Sequence, residues 1–285
     1  MQLAHFRHSD GVSLGLRVGD ELIDVTAAGG PATLDAVLAE GDGAIEALRA
    51  YENSTDSRVM FDEVEEWLPP ILNPSKALAI GLNYHDHASE SEQEVPDYPV
   101  VFTRYPSSWV GHQQPLIQPK VSKIFDFEGE LVVVIGKGGR AISTENALDH
   151  VAGYSVFNEG SIRDYQFRTH QWGIGKNFDK CGSFGPFFVS ADELPPGASG
   201  LQLKTVLNGK LMQDANTRDM VFDVVTLVAT LSEVMALSAG DIIISGTPSG
   251  VGVARKPPVF MQPGDVCEVS IEGIGILSNA VESEV

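Results

Sequence analysis

Asp126-Phe127-Glu128-Gly129-Glu130-Leu131-Val132-Val133-Val134-Ile135-Gly136 sets two carboxylates at the head of an unbroken apolar run. Side chains two residues apart in a strand share a face, so this pattern predicts that Glu128 and Glu130 point the same way. Their charges repel there unless solvent, a basic partner or a cation relieves them. Paired hard oxygen ligands suit Mg²⁺, Mn²⁺ or Ca²⁺. The alternative is a polar strand edge that faces water.

Composition limits the class of protein. The 285 residues suffice for one large domain with a smaller one, and 43% hydrophobic and 20% charged residues are typical of a globular chain. The net charge of −20 argues against nucleic acids and anionic membranes as partners. Two distant cysteines, Cys181 and Cys267, provide neither a disulfide framework nor a zinc motif. Because the sequence shows no signal-peptide pattern and no apolar run of membrane-spanning length, we expect a cytoplasmic protein.

The first part of the chain reads as a small N-terminal domain over residues 1–70. A hairpin is predicted to turn at Gly19-Asp20. A helix capped by Thr33 and a second short helix over residues 44–51 follow.

Residues 71–285 are predicted to form a catalytic domain that is rich in strands. Short apolar runs alternate there with Gly and Pro, and one long helix is predicted over residues 223–236. The fold class is therefore α+β, with a mixed β structure at its centre. The strand-like runs are Ala77–Gly81, Val100–Thr103, Leu131–Ile135, Val151–Asn158, Gly185–Val189, Leu201–Leu207, Asp241–Gly246 and Val266–Ile271.

His87 and Glu90 are the first candidates for catalysis, within the segment 81–90. On a helical turn they are i, i+3 neighbours. A carboxylate beside an imidazole is the arrangement of an oriented general base. Because His85 and His87 alternate, at most one of them is expected to face the same target as Glu90. The alternative is a polar loop with surface histidines.

Three more segments carry candidate site residues. Glu159 follows a strand-like run, at a position where a loop can leave open coordination positions on a hard cation. Lys176 follows Gly173-Ile174-Gly175, but the Ser or Thr of a phosphate loop is missing, so we interpret Lys176 as an anchor for an anionic substrate. Thr247 lies in a Gly- and Pro-rich turn that offers a hydroxyl and backbone amides to an anion. Taken alone, Glu159 and Thr247 are also compatible with structural turns.

Read in order, five segments between residues 70 and 285 resemble the motifs of the fumarylacetoacetate hydrolase superfamily. The segments are Gly-Leu-Asn-Tyr-x-x-His-Ala-x-Glu (81–90), Asp-Phe-Glu-Gly-Glu-Leu (126–131), Asn-Glu-Gly-Ser-x-Arg-Asp (158–164), Gly-Lys-Asn-Phe-Asp (175–179) and Gly-Thr-Pro-Ser-Gly-Val-Gly (246–252).

This resemblance implies a β-roll-like catalytic domain with a smaller N-terminal domain, usually in a homodimer. It also implies a divalent metal, typically Mg²⁺ or Mn²⁺, with Ca²⁺ as a further possibility. The implied ligands are the carboxylates of Glu128, Glu130 and Glu159. Many relatives carry Asp at the third position, so the longer Glu159 implies a slightly displaced metal or a different binding mode.

The resemblance also assigns roles to other residues. His87 and Glu90 match the family's water-activating pair on a mobile lid segment that continues to Glu94, and Lys176 matches the active-site lysine. The implied substrate contacts are Arg163, Gln166, Thr247 and Tyr84. Apart from the resemblance, the distal part of the substrate is expected near four aromatic residues, Tyr165, Phe167, Trp172 and Phe178. The alternative is that these rings form core or dimer contacts.

The leading hypothesis from the sequence is hydrolysis of a C–C bond in an acylpyruvate-type 2,4-dioxo acid. His87, assisted by Glu90, would activate water, while the metal and Lys176 stabilise the pyruvate enolate. The alternative is a decarboxylase, isomerase or hydratase for a 2-oxo acid such as oxaloacetate or a 2-oxo-enoic acid of aromatic catabolism. A non-catalytic binding protein on the same fold would be expected to lack a ligand or the base, and all are present.

Overall fold

The structure, a computed structural model, describes residues 1–8, 11–53, 57–90 and 94–285. Its strands are β1 Gln2–His8, β2 Gly11–Val18, β3 Glu21–Asp24, β4 Arg58–Met60, β5 Glu66–Leu68, β6 Ala77–Gly81, β7 Val100–Thr103, β8 Trp109–Val110, β9 Leu116–Gln118, β10 Phe125–Asp126, β11 Gly129–Ile135, β12 Val151–Asn158, β13 Ser161–Ile162, β14 Gly182–Ser190, β15 Gln202–Leu207, β16 Lys210–Asn216, β17 Ile242–Ile244, β18 Val266–Ile271 and β19 Gly275–Ser283. Its α-helices are α1 Leu34–Glu40, α2 Ala44–Ala47, α3 His85–Glu90, α4 Arg163–Gln166, α5 Gly173–Lys176 and α6 Val224–Val234. Short 3₁₀ helices cover Leu48–Tyr51, Phe61–Glu63, Pro106–Ser108, Thr144–His150, Ala191–Glu193, Pro196–Ala198 and Thr217–Asp219.

Two large sheets dominate this architecture. The first has twelve strands, ordered β4-β3-β2-β1-β14-β12-β11-β17-β6-β7, with β5 paired to β1 and β8 paired to β14. The second has five strands, ordered β16-β15-β18-β19-β9, and a two-stranded ribbon joins β10 to β13. Most pairs are antiparallel, but β17 with β6, β19 with β9 and β14 with β8 are parallel. The predicted α+β class with a mixed, β-rich core is confirmed.

Strand β11 lies at the centre of the first sheet and is buried on both faces. Leu131, Val133 and Ile135 belong to one apolar core, whereas Val132 and Val134 belong to another on the opposite face. This explains the unbroken apolar run, since only a strand covered on both sides can bury every residue. Each such side chain contributes about 1.5–3 kcal/mol by burial. The strand therefore gives a rigid base to the carboxylates at its start.

The single long helix covers one face of this core. In α6, Val224, Leu227, Val228 and Leu231 are buried at helical spacing. Asp223 caps the helix, because its carboxylate accepts a 2.8 Å hydrogen bond from the Thr226 N–H. The prediction over 223–236 is confirmed with slightly shorter ends. Among the described residues, no helix is long and apolar enough to cross a membrane.

The N-terminal segment also follows its predicted elements. The hairpin between β2 and β3 turns after Val18, which pairs with Glu21. The Thr33 hydroxyl accepts a 3.2 Å hydrogen bond from the Ala36 N–H at the start of α1. Strand β1 pairs with β14, so residues 1–70 extend the large sheet of the catalytic part. The end of the predicted lid includes residues 91–93, which lie outside the described residues.

Candidate active site

A cavity of about 560 Å³ opens beside the start of β11. Eight of the ten site residues expected from the sequence line it: His87, Glu90, Glu128, Glu130, Arg163, Gln166, Lys176 and Thr247. Glu159 is fully buried and does not line the cavity. Tyr84 also lies outside this cavity and lines a different one with His85 and Asp219. These residues come from elements that are far apart in sequence and meet only in the fold.

Glu128 is held by two cations. Its Oε2 accepts a 2.5 Å hydrogen bond from Lys176 Nζ, and its Oε1 lies 2.6 Å from Arg163 Nη2. Burial alone would raise the pKa of Glu128, but the positive charges of Arg163 and Lys176 lower it to about 2. Glu128 is therefore an ionised carboxylate. Lys176, the last residue of α5, is buried beside it and also faces the ring of Phe102 at 5.3 Å.

Glu130 and Glu159 have different partners. Glu130 Oε2 accepts a 2.5 Å hydrogen bond from the Gly246 N–H, and it faces no cation as closely as Glu128 does. Burial, together with the charges of Glu159 and Glu128, holds its pKa well above the usual range. Glu159 Oε1 accepts a 2.5 Å hydrogen bond from Arg104 Nη1, and its Oε2 is buried without a hydrogen-bond partner.

Two of the three carboxylates predicted as metal ligands are bound by cations of the protein. Lys176 and Arg163 bind Glu128 and Arg104 binds Glu159, so buried cations provide positive charge there. No three His, Cys, Asp or Glu side chains in the described ranges are grouped as a ligand set. The donor chemistry nevertheless fits a hard divalent cation, since all three groups are oxygen donors and one Glu159 oxygen has no hydrogen-bond partner.

His87 and Glu90 lie together on α3, as the sequence predicts. His87 is buried, and its Nδ1 is 3.8 Å from Glu90 Oε2 and has no hydrogen-bond partner. Both oxygens of Glu90 accept hydrogen bonds from the Gly250 N–H, at 3.1 and 2.9 Å. Burial would raise the pKa of Glu90, but His87 and the Gly250 N–H lower it overall. The carboxylate is thus fixed beside a buried imidazole whose Nδ1 has no hydrogen-bond partner.

Asp126 fixes the loop of residues 246–256, part of which lines the cavity. Its carboxylate accepts hydrogen bonds from the N–H groups of Gly252 and Val253, at 2.7 and 2.9 Å, and from Arg163 Nε at 2.8 Å. Gly252 must lack a side chain, since a Cβ there would lie 1.8 Å from the Val259 carbonyl oxygen. The first carboxylate of the opening motif therefore organises a loop more than 120 residues away in the sequence.

Thr247 and Gln166 line the cavity, and their polar atoms already form hydrogen bonds within the protein. The Thr247 hydroxyl donates to the Gly129 carbonyl oxygen at 3.0 Å and accepts from Gln213 Nε2 at 2.8 Å. Gln166 Oε1 accepts a 2.9 Å hydrogen bond from Arg163 Nη1. Both remain predicted substrate contacts, and both also orient neighbouring groups of the site.

Aromatic and aliphatic side chains form the remaining wall of the cavity. Phe167 and Trp172 line it, as expected, together with Phe102. Tyr165 and Phe178 instead pack on each other, with ring centroids 5.0 Å apart. The wall of the cavity thus combines apolar surface with a few converging polar groups, which is typical of a small-molecule site.

The sequence interpretation missed two arginines. Arg104, directly after β7, is fully buried and pairs with Glu159. Arg255 lines the cavity and donates to the carbonyl oxygens of Gly250 and Met212. Only Arg104 could have been recognised from the sequence, because it is a lone cation at the end of an apolar run. Arg255 lies just beyond the last residue of its motif.

Comparisons with known proteins identify the family of this chain. A model of the fumarylacetoacetate (FAA) hydrolase C-terminal family matches residues 76–282. Oxaloacetate tautomerase fahd2, mitochondrial, from Xenopus laevis is 38% identical over 289 residues, which cover 99% of this chain and 90% of that protein. Fumarylacetoacetate hydrolase from Exiguobacterium antarcticum is 37% identical, with a TM-score of 0.85 over 100% of both chains. Maleylpyruvate hydrolase from Sphingobium sp. SYK-6, solved with manganese (II) ion and pyruvate, is 29% identical, with a TM-score of 0.83 over 100% of both chains.

Proposed function

We propose a function from one premise, namely that this chain belongs to the fumarylacetoacetate hydrolase family and is an enzyme of that superfamily. The proposed reaction is the keto–enol tautomerisation of a 2-oxo dicarboxylic acid such as oxaloacetate. This is the isomerase alternative from the sequence, and we now prefer it to C–C hydrolysis. A relative that aligns with 99% of the chain carries the name oxaloacetate tautomerase, which supports this choice.

The observation that carries the proposal is the buried His87, with its unpaired Nδ1 beside a fixed Glu90. Tautomerisation needs one group that moves a proton between the carbon next to a ketone and the ketone oxygen. His87 would take the proton from C3 of the keto form and return it to the enolate oxygen, or run the same steps in reverse. Glu90 would stabilise the charged imidazole, as carboxylates do for catalytic histidines.

Although the chain as a whole is acidic, the charged side chains that line the cavity suit an anionic substrate. Four cationic side chains line it, namely Arg163, Lys176, Arg255 and Lys256, against three carboxylates. Lys176, next to Glu128, can stabilise an enolate oxygen through its positive charge.

A divalent cation, Mg²⁺ or Mn²⁺, is part of the proposal. Held by Glu128, Glu130 and Glu159, it would supply positive charge near the 2-oxo-acid end of the substrate. A cation would have to share Glu128 with Lys176 and Arg163, which bind it in this structure. We also propose a homodimer and a cytoplasmic location, while the Xenopus laevis relative is named as mitochondrial.

The test follows the decay of the enol absorbance of freshly dissolved oxaloacetic acid, with Mg²⁺ and with EDTA. His87→Asn should lower the enzymatic rate at least about 100-fold, because general acid–base catalysis contributes factors of this size. His85→Asn is the matched control, since His85 lies two residues away on α3, is exposed and does not line the cavity. Wild-type protein that does not accelerate the decay would reject the proposal, as would full activity of His87→Asn.

Hydrolysis of an acylpyruvate is the second candidate. The same His87 and Glu90 could deprotonate water, and the apolar wall leaves more room than a four-carbon acid fills. The Sphingobium structure that holds pyruvate is a hydrolase by its name. Acetylpyruvate, assayed for pyruvate release with the same variants, distinguishes the two reactions.

A further inference from the structure

The loop 246–256 is pinned at several points before it reaches Arg255. The Gly250 N–H donates to Glu90, and the N–H groups of Gly252 and Val253 donate to Asp126. Asp126 is itself paired with Arg163 on the floor of the cavity. The backbone that carries Arg255 is therefore fixed relative to the candidate catalytic groups.

The guanidinium of Arg255 is also held in place, but without a carboxylate. Its Nε donates to the Gly250 carbonyl oxygen at 3.1 Å, and its Nη2 donates to the Met212 carbonyl oxygen at 2.5 Å. Its Nη1 has no protein hydrogen-bond partner among the described residues. Its charge helps to lower the pKa of Glu90, but Glu90 forms no ion pair with it, and both oxygens of Glu90 accept from the Gly250 N–H.

The other cations of the cavity differ from Arg255 in this respect. Arg163 is paired with Asp126 and Glu128, and Lys176 is paired with Glu128, so each already has a carboxylate within hydrogen-bonding distance. Lys256 is exposed and is not fixed by any bond within the described part of the chain. Among the described residues, Arg255 is thus the cavity cation that is fixed by hydrogen bonds, half-buried and without a carboxylate as ion-pair partner.

We infer that Arg255 binds the second carboxylate of the substrate and makes the site selective for dicarboxylic over monocarboxylic acids. This inference rests on the proposed function, because it assumes that the 2-oxo-acid end lies near Lys176 and Glu128. A guanidinium fixed by two carbonyl oxygens is preorganised, so little entropy is lost when it meets a carboxylate. The apolar side chains of Leu82, Phe102 and Val253 would then line the space between the two ends.

The test uses two unreactive acids that differ by one carboxylate, malate and lactate. Their affinities are measured by titration calorimetry in buffer with Mg²⁺, for the wild type and for Arg255→Gln, Arg255→Lys and Lys204→Gln. Wild type should prefer malate. Arg255→Gln should weaken malate binding about tenfold or more, as expected for one charge-assisted hydrogen bond, and leave lactate binding unchanged. Arg255→Lys should restore part of the preference. Lys204→Gln should change it little, because Lys204 is exposed on β15 and does not line the cavity.

Three results would overturn the inference. These are a wild type without preference for malate, an Arg255→Gln variant that keeps the preference, and an Arg255→Gln variant that weakens both acids equally. The last result would mean that Arg255 only supports the loop. The outcome is separable from the proposed function, because binding is measured without turnover. Malate selectivity that depends on Arg255, in a protein without tautomerase activity, would reject the proposed function alone.

Discussion

Two fully buried charges at the floor of the site depend on each other. Arg104 Nη1 lies 2.5 Å from Glu159 Oε1, and neither side chain is exposed. Burying a charge without its partner is costly, whereas replacing both partners by apolar residues often is not. The pair is therefore expected to show strong coupling in a double-mutant experiment.

We expect Arg104→Met to lower the free energy of unfolding by about 3–5 kcal/mol, because Glu159 then keeps only Lys176, whose Nζ is 3.8 Å from Glu159 Oε1 and is already hydrogen-bonded to Glu128. The double variant Arg104→Met/Glu159→Leu should recover most of this loss. Urea unfolding of the single and double variants measures both values. A single variant that is as stable as the wild type would show that Glu159 finds another partner or is protonated at little cost.

Residues whose roles are local could be predicted, and those whose partners are distant could not. His87 and Glu90 are three residues apart on one helix, so their pairing was visible in the sequence. Arg104 and Glu159 are 55 residues apart, and no spacing rule connects them. The sequence predicted that Glu128 and Glu130 need solvent, a basic partner or a cation, but it could not show that Lys176 and Arg163 are the partners of Glu128.

At the scale of elements, strand β6 makes close contact with the wall of the cavity. A Cβ on Gly81, its last residue, would lie 2.1 Å from an indole carbon of Trp172. The ring of Trp172 also packs edge-on against Phe102 of β7, with centroids 5.9 Å apart. The absence of a side chain at Gly81 therefore allows the indole to lie against the sheet.

We expect Gly81→Ala to displace Trp172 and narrow the cavity, with a loss of about 1–3 kcal/mol in the free energy of unfolding from overpacking. Tryptophan fluorescence should change, because Trp172 is the only tryptophan at this contact and Trp67 and Trp109 are buried elsewhere. Gly173→Ala is the matched control, since a Cβ there comes no closer than 4.0 Å to any neighbour. Unchanged fluorescence in Gly81→Ala would contradict this account of the wall.

Sequence periodicity predicted the bounds of a strand well where burial alone determined them. The bounds of β6 agree residue for residue, because the strand is buried and no side-chain contact interrupts it. Strand β17 was predicted to reach Gly246 but ends at Ile244. The reason is that the Gly246 N–H turns away to donate to Glu130. The four-residue helices α4 and α5 were not predicted, since they are too short to show a period.

At the scale of the whole molecule, the N-terminal segment is joined to the catalytic part by more than sheet pairing. Arg17 lies 4.9 Å above the ring of Phe187, in a cation–π contact between β2 and β14. The Trp67 ring in β5 packs edge-on against His112, with centroids 5.6 Å apart. His112 Nδ1 in turn accepts a 3.1 Å hydrogen bond from the Ser278 N–H of the second sheet. The proposed boundary at residue 70 is therefore bridged by buried contacts.

One of these bridges includes a histidine that must stay neutral. Burial lowers the pKa of His112 to about 4. Protonation of its Nδ1 would remove the acceptor of the hydrogen bond from the Ser278 N–H. Within the N-terminal segment, burial also lowers the pKa of His5, although its hydrogen bond to the Pro69 carbonyl oxygen acts in the opposite direction. His5 Nε2 accepts from the Leu34 N–H at 2.8 Å, so Nδ1 is the nitrogen that donates to Pro69.

The stability of the molecule should accordingly fall as the pH falls from about 6.5 towards 4. In this range the unfolded chain binds a proton at His112 that the folded chain does not, so the free energy of unfolding rises with pH. At pH 5 we expect His112 to have cost about 2 kcal/mol relative to pH 7.5, since each unit of pKa difference is worth about 1.4 kcal/mol. Urea unfolding of His112→Gln at both pH values should show a smaller decrease than the wild type. His170→Gln serves as control, because His170 is exposed, and it should keep the wild-type decrease. If the free energy of unfolding of His112→Gln depends on pH as in the wild type, the proton is taken up elsewhere.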